Sequence, residues 1–147
     1  MDASWIQECA VFGVGFVLMR GNRRILMGTK NGRTVPSALY AEAECLEWAM
    51  KTMIREGYTS VHFETYCVQL VKLVQKVEDW PAMAEIIEEI TITSRSFVSF
   101  SITHLPRGMN KRADCFAKAA RARSDTFSLV FVETPVWLAS VASLLES

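Results

Sequence analysis

Three acidic residues occupy positions where a carboxylate suits divalent-metal chemistry. Glu42 lies three residues after Leu39 and four before Leu46, inside the apolar stripe of a predicted helix rather than opposite it. A carboxylate on a core-facing stripe needs a partner, a raised pKa or a metal ion. Asp114 falls in the first turn of the last predicted helix, and Asp2 stands at the start of the sequence. Acids that converge from separate elements beside a sheet can hold two Mg²⁺ ions about 3.5–4 Å apart for phosphoryl chemistry.

Each of these positions also has an ordinary structural explanation. Glu42 can lie at the edge of the stripe and reach water past its short alanine neighbours. The helix dipole favours an acid in a first turn, which accounts for Asp114. A terminal Asp2 carries no signal on its own. The residues by themselves leave the structural and the catalytic explanations open.

The helix that carries Glu42 has the clearest pattern in the sequence. It is predicted over residues 36–53, with Ser37 as its N-cap and strong helix formers throughout. Its core-facing stripe consists of Leu39, Ala43, Leu46, Ala49, Met50 and Met53. Glu44 and Glu47 fall elsewhere on the helix and are predicted to face solvent.

Strands and helices alternate along the rest of the chain, which predicts one mixed α/β domain. The predicted strands span residues 10–20, 24–30, 59–65 and 97–103. The further predicted helices span residues 68–77, 81–91 and 110–123, the last capped by Asn110. The first two strands form a hairpin followed by a turn at Asn31-Gly32, and Gly13 and Gly15 clear one strand face for close packing.

The C-terminal region is less regular. Residues 126–132 fit either a strand or an extended tail, and residues 137–145 can form a short apolar helix that folds back onto the body. We therefore assign residues 1–133 to the domain and residues 134–147 to a C-terminal tail.

Composition limits the class of protein. Half of the 147 residues are hydrophobic, yet no apolar run reaches the length of a membrane span and no secretory signal opens the sequence. Four scattered cysteines, Cys9, Cys45, Cys67 and Cys115, predict thiols in a reducing compartment, so we expect an intracellular protein, cytoplasmic or nuclear. Sixteen basic and sixteen acidic residues argue against binding nucleic acid through bulk charge.

A local basic patch is still present near the last predicted helix. Within one loop and this helix, Asp114 is the only acid among six basic residues, Arg107, Lys111, Arg112, Lys118, Arg121 and Arg123. Such a cluster fits phosphate binding and a solvated helix face about equally well.

Five segments together resemble a known family. DASW, GVGFVLMR, SALYAEAECLEWAM, VHFETYCVQLVKLV and HLPRGMNKRADCFAKAAR occur in the order found in the plant ribonuclease H-like domain, which is related to the RNase H of non-LTR retroelement reverse transcriptases. The resemblance implies a five-stranded mixed sheet flanked by helices, here with a shortened first strand. It also implies a hydrolase, an endonuclease that cleaves the RNA strand of RNA–DNA hybrids with Mg²⁺ or Mn²⁺ held by four acidic residues.

The resemblance assigns roles to individual residues. Asp2, Glu42 and Asp114 match the first, second and fourth acids, and thus the metal ligands. His104 falls where a loop histidine can shuttle protons, although a strand-end histidine facing water explains it equally well. Asn110 falls where the family can place an asparagine near the last acid. We assign nucleic-acid contacts to Asn110 and to three members of the basic patch, Arg107, Lys111 and Arg112. His62, in mid-strand, is predicted to be structural.

The third acidic position departs from the family pattern, because it holds Tyr66. A tyrosine is neutral at pH 7 and is a poor ligand for Mg²⁺. Glu64 lies two residues earlier, about 6.6–6.8 Å along a strand, and cannot simply replace it. The connection at residues 75–80 also lacks the basic protrusion of some RNases H. Two hypotheses follow: an impaired hybrid endoribonuclease, or a catalytically inactive module that binds nucleic acid or protein.

Overall fold

Strands and helices alternate through most of the described chain. A computed structural model describes residues 1–5, 11–20, 23–33, 35–105, 111–123 and 128–131. The strands are β1 (Asp2–Ser4), β2 (Val11–Arg20), β3 (Arg23–Arg33), β4 (Ser60–Thr65), β5 (Ser99–His104) and β6 (Ser128–Phe131). The helices are α1 (Ala38–Arg55), α2 (Val68–Val74), α3 (Ala84–Ser94) and α4 (Lys111–Ala122), with a 3₁₀ turn at Pro81–Met83 before α3. Among these helices, none is long and apolar enough to cross a membrane.

Hydrogen bonds divide the strands into two groups. The first is an antiparallel sheet in the order β1-β2-β3-β6, and the second is the parallel pair β4-β5. The amino group of Met1 donates to the carbonyl oxygen of Glu64 at 3.4 Å and so connects β1 with β4. The five expected strands, in mixed directions, are therefore present, and β1 is only three residues long. The sixth strand, β6, settles the open choice for residues 126–132 in favour of a strand.

The two faces of β2 carry different residues, and each face packs on a different helix. Phe12, Val14 and Phe16 are buried in the core cluster that α1 also lines. The alternate residues point to the opposite face. There a Cβ on Gly13 would lie 2.0 Å from the carbonyl oxygen of Ala117. The backbone of α4 therefore lies directly on β2, as the alternation of small and large residues predicts.

Helix α1 follows the sequence prediction closely. Ser37 is its N-cap, and the Ser37 hydroxyl accepts a hydrogen bond from the Tyr40 amide at 3.1 Å. The predicted core stripe is buried except for Leu39, which packs at its edge. The prediction for Glu47 was wrong, since this residue is only 8% exposed and accepts a hydrogen bond from Lys51. Helix α3 packs on α1 on the side that carries Glu47. The sequence pattern of α1 alone cannot show that another helix covers this side.

Several boundaries also differ from the prediction. Asn31 and Gly32 do not form a turn but continue β3, where they pair with Gly13 and Phe12. A Cβ on Gly32 would touch the Phe12 ring at 2.9 Å, so this glycine makes room for a ring. Helix α2 ends at Val74, three residues early, and α3 runs on to Ser94. The predicted helix at residues 137–145 and the tail at 134–147 lie outside the described residues.

Candidate functional site

Glu42 is fixed to the first strand by its carboxylate. The side chain is buried, with 7% of the residue exposed, as its place in the apolar stripe predicts. Its Oε1 accepts a hydrogen bond from the backbone amide of Ala3 at 3.2 Å. A carboxylate on α1 is thus tied to the residue that follows Asp2. The explanation that Glu42 reaches water at the edge of the stripe is wrong.

The backbone brings the two other acidic residues, Asp2 and Asp114, close to Gly15 of β2. Asp2 pairs with Gly15 across the β1–β2 ladder. A Cβ on Gly15 would lie 2.6 Å from the carbonyl oxygen of Ala113, the residue before Asp114. Helices α1 and α4 therefore meet β1 from opposite faces at one end. The side chains of Asp2 and Asp114 lie outside the described part, which fixes their backbone positions only.

Two buried polar residues of β3 hold α4 in this place. The Thr29 hydroxyl donates to the carbonyl oxygen of Phe116 at 3.0 Å, and the Asn31 amide nitrogen donates to that of Ala120 at 3.2 Å. Because both acceptors lie on α4, these bonds position the helix that carries Asp114. Sequence reasoning missed both residues. Their alternation along β3 is a signal that could have identified a polar face.

Tyr66 follows β4 directly. The strand end is held by the Thr65 hydroxyl, which accepts from the Cys67 amide at 3.1 Å, and by the bond from Met1 to Glu64. Tyr66 is half-buried there, one residue beyond the strand. Glu64, by contrast, is exposed. The end of β4 near β1 thus presents a phenol at the position matched to the third acid.

His104 ends β5 and is exposed. In the β4–β5 ladder it pairs with Thr65, the residue before Tyr66. Its backbone therefore lies beside the same strand end. Asn110 and Arg107 lie outside the described residues, and for Lys111 and Arg112 the structure describes only the backbone. Of the remaining basic patch, Lys118 is exposed, and Arg121 and Arg123 are partly exposed.

His62 has a structural role, as predicted. Its ring nitrogens contact the Ser101 hydroxyl at 2.6 Å and the Thr103 hydroxyl at 2.8 Å, on an exposed face. Both partners lie on β5, so the imidazole ties the two parallel strands together. Cross-strand pairs of this kind stabilise a sheet.

A separate set of acids lies along α1 and α3. Burial raises the pKa of Glu44, and repulsion from Glu47 adds to the effect. Burial, followed by repulsion from Glu44, also raises the pKa of Tyr40. The hydrogen bond to Glu47 raises the pKa of Lys51. Among the side chains described, which exclude Asp2 and Asp114, no group of three or more His, Cys, Asp or Glu residues can hold a metal ion.

Comparison with known proteins places these observations in a family. The family described as reverse transcriptase-like matches residues 1–120. Among solved structures, RNase H1 from the halophilic archaeon Halobacterium salinarum NRC-1 is 24% identical, with 81% of this chain and 92% of that chain covered and a TM-score of 0.75. LC11-RNase H1 in complex with an RNA/DNA hybrid is 20% identical, with 81% and 91% covered and a TM-score of 0.73.

The N-terminal RNase H domain of rv2228c from Mycobacterium tuberculosis is 17% identical, with 82% of this chain and 88% of that chain covered and a TM-score of 0.71. Among curated proteins, none matches the sequence. The structural matches agree with the predicted α/β fold. With the match over residues 1–120 of 147, the chain belongs to the reverse transcriptase-like family and is an RNase H-like domain.

Proposed function

We propose that this chain is a nucleic-acid-binding domain that acts on RNA–DNA hybrids through a divalent metal, with its cleavage impaired at Tyr66. The observation that carries the proposal is the hydrogen bond from Ala3 to Glu42, which fixes a buried carboxylate beside Asp2. Family membership supports the substrate class, and a solved relative, LC11-RNase H1, is in complex with an RNA/DNA hybrid.

The residues present fit a divalent cation with oxygen ligands. Asp2, Glu42 and Asp114 come from three elements whose backbones meet at β1. Mg²⁺ and Mn²⁺ favour carboxylate oxygens. When bound, the ion would polarise a phosphoryl oxygen and lower the pKa of a water molecule. Two divalent ions carry four positive charges, and three carboxylates balance only three of them. Tyr66 adds no negative charge, because a tyrosine side chain is neutral at pH 7.

The other assigned residues would act around this site. Glu42 is oriented by the Ala3 amide, which donates to its Oε1, and its carboxylate would be a ligand to the ion. His104, at the end of β5, would give or take a proton as product leaves. Phosphate contacts are assigned to the cationic side chains of Arg107, Lys111 and Arg112 and to the neutral amide of Asn110, because both kinds of donor bind phosphate oxygens.

A catalytically inactive module is the second candidate function. Tyr66 favours this function. Changing a residue that only hydrogen-bonds to a metal ligand typically lowers metal affinity or activity 10–100-fold, and losing a ligand carboxylate lowers it more. The connection at residues 75–80, QKVEDW, also lacks the positive charge that would hold a hybrid. Such a module would bind nucleic acid or a protein without cleaving it.

One experiment separates the two functions. A labelled RNA–DNA hybrid is incubated with the chain and increasing Mn²⁺, and both cleavage and binding are measured. An impaired nuclease gives slow cleavage that Glu42→Gln abolishes, with binding retained. Binding without cleavage at any Mn²⁺ concentration supports the inactive module. If the hybrid is neither bound nor cut, nucleic acid is not the partner.

A further inference from the structure

A groove runs along one side of α3, between this helix and the connection that leads to it from α2. Its volume is about 520 Å³, which is in the range of ligand-binding pockets. On α3 it is lined by Ala84, Glu88, Ile92 and, just after the helix, Arg95. These residues recur at intervals of three or four, so one side of α3 faces the groove over about 16.5 Å. We call this surface the α3 groove.

Large apolar side chains are exposed in the α3 groove. Trp80 is 44% exposed and Ile92 is 53% exposed, and both line it together with Leu73 and Ile87. On the other side of α3, Ile86 and Ile90 are buried in the core. Apolar residues that are exposed singly need no explanation, but those that converge on one concave surface indicate a binding site.

Charged side chains divide the α3 groove into two ends. The charged residues that line it are Lys76, Glu78, Asp79, Glu88 and Arg95. Asp79 lies just before the 3₁₀ turn that leads into α3, and Glu88 lies in the first half of the helix, whereas Arg95 is the C-cap. Glu78 pairs with Lys72 at 3.5 Å, but no salt bridge within the described ranges involves Asp79, Glu88 or Arg95. One end of the groove therefore presents two unpaired carboxylates and the other end an unpaired guanidinium.

We propose that the α3 groove binds an amphipathic helix of another protein, antiparallel to α3. This orientation places the N-terminal half of the partner helix opposite Arg95 and its C-terminal half opposite Asp79 and Glu88. An acid in the first half and a base in the second half would then meet opposite charges. The dipole of the partner helix favours the same distribution, because acids are stabilised near a helix N-terminus and bases near a C-terminus.

The spacing of the charges on α3 sets the pattern of the partner helix. Glu88 and Arg95 are seven residues apart, which corresponds to two helical turns and about 10.5 Å. We therefore expect Glu at position i, apolar residues at i+3 and i+4, and Arg at i+7, the spacing with which helices bind in grooves. The apolar pair would contact Trp80 and Ile92 and supply most of the affinity. Exposed charge pairs contribute little to affinity and mainly set the orientation.

The charges argue against two other occupants. The three acids and two bases that line the groove would repel the phosphates of a nucleic acid rather than attract them. Residues 124–147 contain three acidic residues and no basic residue, so this part of the chain cannot supply the base that Asp79 and Glu88 require.

A helical peptide tests the proposal with the unmodified chain. The probe is an alanine- and glutamine-based peptide of sixteen residues, capped at both ends, with Glu, Leu, Leu and Arg at positions 5, 8, 9 and 12. The matched control has the same composition, but its leucines stand at positions 7 and 10, on the opposite side of the helix. Isothermal titration calorimetry should show one bound probe per chain and a Kd for the control that is higher by about tenfold or more.

Substitutions in the chain locate the bound peptide. Ile92→Gln should weaken binding of the probe about tenfold. Its control is Val98→Gln, because Val98 is also exposed, at 84%, and does not line the groove. Arg95→Glu should weaken binding about three- to tenfold, and replacing the Glu of the probe by Lys should restore it. Circular dichroism checks that each variant is folded.

Several outcomes would overturn the proposal. These are no binding of the probe at about 1 mM, equal affinities for probe and control, equal effects of Ile92→Gln and Val98→Gln, or no recovery with the charge-exchanged pair. Competition between the probe and an RNA–DNA hybrid would assign the groove to nucleic acid. Dissociation of a dimer when the probe is added would assign it to a second copy of the chain. None of these measurements depends on metal binding or cleavage, so they test the groove separately from the proposed function.

Discussion

Gly15 is the position where one methyl group should test how α4 is brought to β1. A Cβ there would lie 2.6 Å from the carbonyl oxygen of Ala113 and 2.6 Å from the Cβ of Phe116. Comfortable contacts between such atoms are about 3.5–4.0 Å, so in Gly15→Ala the helix must move away from β2 by about 1 Å. Neither neighbouring atom lies at the end of a flexible side chain, so no rotamer change relieves the overlap.

The expected loss of stability follows from this overlap. An extra methyl group in a well-packed site costs about 1–3 kcal/mol. For a domain of this size, the loss corresponds to a Tm lower by about 2–12 °C, measured by thermal unfolding followed with circular dichroism. The matched control is Gly32→Ala. Its nearest neighbours are atoms of the Phe12 ring, at 2.9 Å and beyond, and the ring can turn, so a smaller loss is expected.

The same displacement has a consequence for the site. Because α4 carries Asp114, moving it by about 1 Å separates this acid from Asp2 and Glu42, and metal sites tolerate only about 0.2 Å in ligand distance. Gly15→Ala should therefore weaken Mn²⁺ binding more than Gly32→Ala does. Equal melting temperatures for Gly15→Ala and the parent chain would refute the close packing of α4 on β2, and with it the convergence of the acids.

Three further substitutions test the site and its surroundings. Glu42→Gln keeps an oxygen that can accept a hydrogen bond from the Ala3 amide, so the fold should survive. Calorimetry should show that the affinity for Mn²⁺ is lower by about tenfold or more. Identical isotherms for the variant and the parent chain would remove Glu42 from the site. Tyr66→Asp should increase hybrid cleavage in Mg²⁺ while Tyr66→Phe should not, and a folded Tyr66→Asp chain that binds no metal would contradict the proposed ligand set. Glu44→Gln should raise Tm at pH 7, because the raised pKa of Glu44 means that its charged form is destabilised in the fold. The difference in Tm between Glu44→Gln and the parent chain should shrink as pH falls, because the Glu44 carboxyl then becomes protonated in both the folded and the unfolded chain. A Tm difference that does not change with pH would contradict this explanation.

The sequence predicts those parts of the fold that depend on local periodicity. Spacing predicts the apolar stripe on α1 and the small residues at Gly13 and Gly15, and residue type predicts the N-cap at Ser37. The structure agrees with all three. Glu47 and the Asn31-Gly32 pair are different. Their environment is set by α3 and by the long ladder between β2 and β3, both contributed by distant parts of the chain. Local patterns therefore predict an element more reliably than they predict which neighbour will cover it.

Glu42 shows why the candidate site is only partly readable from sequence. Its misplaced charge on an apolar stripe is a local signal, and the structure explains it by a contact between residues 39 positions apart in the chain. That contact does two things at once, since it satisfies one oxygen of a buried carboxylate and fixes a strand of only three residues. A short strand contributes few ladder bonds of its own, so a bond to a rigid helix matters more for its position. The carboxylate that is proposed to bind the metal thus also holds β1, and with it the backbone of Asp2, together with the ladder to β2 and the bond from Met1 to Glu64.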